Sequence, residues 1–195
     1  FATPGVPLHQ INGSSATRSV TQVGTAGVIF FNSDKAFFAA NLSSGSVFKQ
    51  IRVQEFSTQP TCEFTGGSRA AASNYTDLWW NPAESGWGIN LAHQGDIIFA
   101  TWFTYDNSSE PFWLYLIANR ESQSRFSGRF YATTGVPIGQ INGNKALLST
   151  TDVGSGSLTF TSGERAQFDY NVAGVMGSKS IQRQVFSSPV THCEP

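Results

Sequence analysis

"DLWWNPAESGWGINLAHQGDIIFATWFTYD", residues 77–106, holds four of the chain's five tryptophans: Trp79, Trp80, Trp87 and Trp102. Turn residues divide the stretch. Asn81-Pro82 and Ser85-Gly86 interrupt it once and "HQGD", residues 93–96, interrupts it again, leaving short aromatic and β-branched runs between. Strands joined by tight turns are written this way. In "DIIFATWFTYD" one face carries Ile98, Ala100, Trp102 and Thr104, and the other Ile97, Phe99, Thr101, Phe103 and Tyr105. Both faces are largely apolar, so this run is expected to be a central strand.

The same writing extends in both directions. "AGVIFFN", "KAFFAANL", "IRVQEF", "PFWLYLIAN", "SRFSGRFYA", "GSLTFTS" and "RAQFDYNV" are short runs bounded by turns such as "NSD", "DNSSEP" and "TSGE". No window of a dozen residues keeps apolar side chains at helical spacing. The chain is therefore expected to be all-β, an antiparallel meander forming a sandwich or a closed barrel, with roughly four to five strands per half-unit. Gly128 marks a bulge or bend.

Self-comparison sets the organisation. "FATPGVPLHQINGSSATRSVTQVG" from Phe1 is echoed by "YATTGVPIGQINGNKALLSTTDVG" from Tyr131, and the register continues through Phe30 and Phe160, Ala36 and Ala166, Phe38 and Phe168, and Asn41 and Asn171. "IRVQEF" meets "IQRQVF", and Cys62 meets Cys193. Such self-similarity signals an internal repeat. The expected order is a truncated repeat over 1–64 holding only the second half-unit, a small-residue linker over 65–76, and a complete unit over 77–195. That unit comprises a Trp-rich first half, 77–130, and a second half, 131–195.

Composition narrows the function classes. Charged residues make up 13% of the chain and the formal net charge is -1, against a usual charged share of about 25%. Lysines and arginines are scattered singly, so no basic footprint for nucleic acid or an anionic membrane is written here. No apolar run approaches the roughly 18 residues of a membrane-spanning helix. The opening on Phe1 reads as a processed or excised terminus.

The positions Asp77, Trp79, Trp80, Asn81, Pro82, Glu84, Ser85, Gly86, Trp87, Gly88, His93, Gln94, Gly95, Asp96, Trp102 and Trp113 carry a resemblance. They follow the pattern "DLWWNPxESGWGxNLxHQGDxxFATWFTYD", then "PxWL" and "IxRQxF", of a bacterial repeat domain. It occurs, often in tandem, in secreted or cell-surface proteins and has no characterised activity. The resemblance covers 77–195 as a whole unit and the first segment as its latter part. It implies an exported bacterial β-domain and supplies no reaction.

Candidate site residues cluster around the first turn. Trp79, Trp80 and Trp87, on strands flanking one loop, are a candidate aromatic platform for a sugar face or another flat ligand, with Asn81, Glu84 and Asn90 as hydrogen-bonding groups. The competing reading is a core, since adjacent Trp79 and Trp80 point to opposite faces and at least one is expected to be buried. Ser85, His93 and Asp96 do not read as a nucleophilic triad, because His93 and Asp96 flank a hairpin turn in which Asp96 is expected to bond backbone. Glu84 and Asp77 are a pair of carboxylates that could serve glycoside hydrolysis, although surface carboxylates in turns are the commoner case. His9, His93 and His192 are isolated, so no metal and no cofactor is expected. The sequons at Asn12, Asn41, Asn74 and Asn107 carry no assigned role. Cys62 and Cys193 are expected to bridge, which suits an oxidising exterior.

A half-unit standing alone would leave strand edges and an apolar face uncovered. The expectation is therefore a non-enzymatic secreted or surface β-module with a role in assembly of a fibre, matrix or envelope, as a homo-oligomer or filament, by strand exchange between subunits. A glycan-binding module on the aromatic platform is the alternative, and a secreted hydrolase with paired carboxylates the lesser one.

Overall fold

The computed structural model describes residues 5–7, 10, 20–84, 86–137, 140–141, 148–186 and 188–195. His9, Asn12, Ser85 and much of the echoed segment at each repeat's start lie outside them. Among the described residues thirteen strands run in chain order: β1 (Gly24–Phe30), β2 (Lys35–Leu42), β3 (Gly45–Arg52), β4 (Thr61–Thr65), β5 (Asp77–Trp80), β6 (Gly88–Gln94), β7 (Ile97–Tyr105), β8 (Pro111–Arg120), β9 (Arg125–Gly135), β10 (Leu148–Ser162), β11 (Arg165–Val172), β12 (Val175–Arg183) and β13 (Val190–Glu194). Among the described residues no helix is long and apolar enough to cross a membrane.

Strands β5 to β12 close into an eight-stranded barrel in which every strand pairs with its sequence neighbours and β12 returns to β5. Of the two expected architectures, the barrel is the one formed. Closure follows from the writing of the strands: β7 alternates buried and open along its length, as does β8, and two-residue periodicity sends alternate side chains inward. Eight strands leave an interior that side chains just fill. Here Trp79, Trp102, Phe126, Phe130, Phe168 and Leu158 fill it. Trp102 lies 5.0 Å from Phe168, nearly edge to face, and 4.9 Å from Tyr170.

Among the described residues the strand read as central has no second sheet on its outer face, where Phe56 lies 6.4 Å from Phe99. Closure removes the edges without covering the outside, so Phe103 stays open to solvent while Trp102 beside it is buried. Gly128 stands at no register shift. Its Cβ would press on the carbonyl of Ile117 in β8, so close backbone approach is the reason for glycine, and the irregularity of this strand pair falls between Asp152 and Gly154 instead. "IRVQEF" contributes only Ile51 and Arg52 to a strand. Strands β4, β12 and β13 carry weak patterns and were not anticipated.

The segment read as a linker packs tightly. Arg69, Ala72, Asn74 and Tyr75 are buried, closing the barrel end formed by the β6–β7, β8–β9 and β10–β11 turns. Tyr75 stacks on Phe160 at 3.4 Å and on His93 at 5.4 Å. Arg183 reaches into the same end and donates to the carbonyls of Asn74 at 2.7 Å and Thr76 at 2.9 Å and to the Asp77 carboxylate at 3.2 Å. Arg69 also meets Asp77, at 2.5 Å. Two cations on one carboxylate, with backbone carbonyls taking further donors, make burial of these charges tolerable, while Arg69 Nε finds no partner among the described residues.

Outside the barrel, β4 and β13 pair so that Cys62 faces Cys193, and the two form the expected disulfide. Strands β1, β2 and β3 form a separate three-stranded sheet. The segment after β3 docks on the barrel's β6–β7 hairpin: Gln94 accepts from the backbone N–H groups of Phe56 and Ser57 and donates to the carbonyl of Gln54.

Candidate functional site

At the opposite barrel end, the turn that begins at Asn81 is held by its own polar groups. Asn81 accepts from the Ala83 N–H through its side chain at 2.9 Å and from the Glu84 N–H through its carbonyl at 3.0 Å, as expected of a turn-forming Asn. Gly86 sits at φ 111°, where a side chain would be strained. Glu84 is thereby turned inward. It is buried, pairs with Lys179 of β12 at 2.9 Å, and accepts from the Trp87 indole N–H at 3.2 Å. The sequence led us to expect a surface carboxylate in a turn, but this one holds the loop down.

Beside that loop the outer wall of β5 to β8 forms a groove of about 590 Å³. Phe103 and Trp113 stand opposite each other on β7 and β8 and are 52% and 50% exposed. Gly88 is the β6 neighbour of Phe103, and its lack of a side chain leaves that ring open. Trp80 and Phe112, both half-buried, and the exposed Phe186 complete the aromatic lining, and Gln184 contributes an amide. No described residue lining the groove is charged. The aromatic surface continues along the strands, where Phe99 stacks on Tyr115 at 5.5 Å and Tyr115 on Tyr131 at 5.1 Å.

Of the residues singled out as a platform, Trp79, Trp80 and Trp87 all line this groove, but Trp79 and Trp87 are buried in the core and present no free face. Asn81 and Glu84 are used by the loop itself, and Asn90 lies exposed on the outer face of β6 away from the groove. Phe103, Phe112, Trp113, Gln184 and Phe186 were missed. The signal was present, because apolar residues on both faces of β7 meant either a covered strand or an exposed aromatic row.

Asp77 and Glu84 do not converge. Asp77 is engaged by Arg69 and Arg183 at the plugged end, Glu84 by Lys179 at the other, and neither lines the groove. Paired carboxylates for glycoside cleavage need a common cleft.

His93 and Asp96 are likewise structural. The Tyr75 N–H donates to His93 Nδ1 at 3.1 Å, and Nε2 faces the Gly95 carbonyl at 2.9 Å. The ring is therefore neutral with its proton on Nε2, and burial pushes its pKa down to about 4. Asp96 was expected to bond backbone through its side chain. It instead accepts from Arg120 Nε at 2.6 Å, because Arg120 of β8 ends beside the two-residue turn. Among the described residues no cluster of His, Cys, Asp or Glu could hold a metal ion.

Comparison with protein families, with curated proteins and with solved structures finds no match.

Proposed function

We propose that this chain is a non-catalytic β-module that works by associating with other polypeptide surfaces, in an exported bacterial setting such as a fibre, matrix or envelope. The observation that carries the reading is the sheet β1–β3. It exposes Val28, Phe30 and Ile51 on one face and Ile29 and Phe48 on the other, and exposed apolar surface of this kind marks interaction sites in folded proteins. The disulfide across β4 and β13 and the resemblance to exported repeat domains support the same setting.

Dye binding and hydrogen exchange test the reading. The chain is expected to bind an apolar dye, to lose that signal in a Phe30→Ser/Ile51→Asn double variant whose barrel still unfolds at the parent midpoint, and to show fast amide exchange in β1–β3. A dye-silent chain whose β1–β3 amides are as protected as the barrel's would refute it.

The aromatic groove favours a second reading, glycan binding. Exposed Trp113 and Phe103 offer ring faces, although Gln184 is the sole side-chain amide among the described lining residues, which is sparse for hydroxyl recognition. Titration with soluble oligosaccharides, followed by tryptophan fluorescence in the parent and in Trp113→Ala, tests it. A response that survives the substitution removes this site.

A further inference from the structure

The sheet β1–β3 repeats part of the barrel strand for strand. Phe30 pairs with Ala36 and Leu42 with Gly45, as Phe160 pairs with Ala166 and Val172 with Val175, so every pairing recurs 130 residues later. The surroundings differ. Val28 is 45% exposed where Leu158 is 0%, Phe30 76% where Phe160 is 4%, and Ile51 44% where Ile181 is 3%, whereas Ala36, Ala40 and Val47 on the same face are buried.

The barrel shows what covers such a face. Phe160 packs at 5.3 Å from Trp79 and 6.1 Å from Phe126, and Phe168 at 5.0 Å from Trp102 and 6.1 Å from Phe130. These four rings come from β5–β9, and a fifth, Tyr75 of the segment before β5, stacks on Phe160 at 3.4 Å. Strand β9 pairs with the edge of β10, and β5 with the edge of β12. Lys179 adds an electrostatic latch to Glu84 of the same set. Its counterpart 130 residues earlier is Lys49, which now donates to the Ile141 carbonyl.

We infer that β1–β3 is the acceptor half of a second barrel, and that its occupant is a five-stranded half-unit of the 77–130 type carried by a polypeptide outside residues 1–195. The inference rests on the association reading and names its partner. The occupant is not a second copy exchanging strands. Among the described residues, 1–195 hold one β5–β9 set and two three-stranded sets, so exchange of these sets among copies leaves one three-stranded set per copy without a donor. Main-chain pairing at the two free edges would supply affinity, and the pockets for Phe30 and Phe38 specificity. One counterpart is missing: Val53 stands where β12 has Arg183, so the partner's equivalent of Asp77 needs its cation from elsewhere.

The test places a duplicate of residues 77–130 directly ahead of Phe1 in the full chain. The sequence join then reproduces the one before Tyr131. Amides of β1–β3 are expected to slow by on the order of 100-fold or more, and the apolar dye signal to disappear. Lys49→Glu in the extended chain should reopen those amides, and reversing the duplicate's counterpart of Glu84 to Lys should close them again. Amides that stay fast beside an intact downstream barrel overturn the inference, as does a concentration-dependent dimer of the parent that alone protects them. Either result leaves the association reading standing, whereas a parent sheet already protected and dye-silent removes both. If the extended chain fails to fold, Ile51→Asn in the parent decides. An unchanged unfolding midpoint supports the inference, and a lowered one shows that the face already serves this chain's own fold.

Discussion

Acid should unfold this protein through one imidazole before its carboxylates titrate. His93 is buried, its Nδ1 receives the Tyr75 N–H, and its pKa is held near 4 in the folded chain against about 6.5 unfolded. The unfolded state therefore binds more protons between those two values. Stability is fully present above about pH 6.5, falls as the pH drops, and stops falling below about 4. From about pH 7.5 to 5 the linkage relation predicts a loss of about 2 kcal/mol, and of about 3 kcal/mol by full titration. A fully protonated ring would also set its own N–H against that of Tyr75. The assay is urea unfolding with the disulfide intact, read by tryptophan fluorescence at several pH values in that window. His93→Gln should be less stable at pH 7.5 but lose about 2 kcal/mol less than the parent on going to pH 5. Equal losses in the two proteins would refute the neutral buried imidazole.

Other outcomes follow from the same geometry. The disulfide closes a separation of 131 residues that contains the whole barrel, so Cys62→Ser/Cys193→Ser should lower unfolding stability by about 5 kcal/mol on the loop-entropy account; a change under about 1 kcal/mol would mean the unfolded chain stays compact. Trp102→Ala removes a ring packed against Phe130, Phe168 and Tyr170 and should cost about 3–5 kcal/mol. Trp113→Ala, at an exposed position, should cost no more than about 0.5–1 kcal/mol, and comparable losses for the two would contradict the inside–outside assignment.

How far the site could be read ahead depended on what each residue touched. The tryptophans of 77–106 drew attention correctly to one wall, yet Trp79 and Trp87 differ from Trp80 only by which way a strand or loop turns. Glu84 looked like a turn carboxylate because its partner, Lys179, lies 95 residues away on β12. The small-residue segment 65–76 looked like a linker because nothing local shows that Asn74 and Tyr75 meet His93 or that Arg183 bonds the Asn74 carbonyl.

Local chemistry determined the all-β class and the position of most turns, because strand periodicity and turn residues are carried by neighbours along the chain; it favoured the Cys62–Cys193 bridge without fixing it. Tertiary structure decided that the meander closes into a barrel, that aromatic faces of β7 and β8 remain outside it, and that Val28, Phe30 and Ile51 stay exposed where their barrel counterparts are buried. Those outcomes depend on which strands pair at long range and how much of each face closure leaves uncovered, and neither is written in the spacing of any single run.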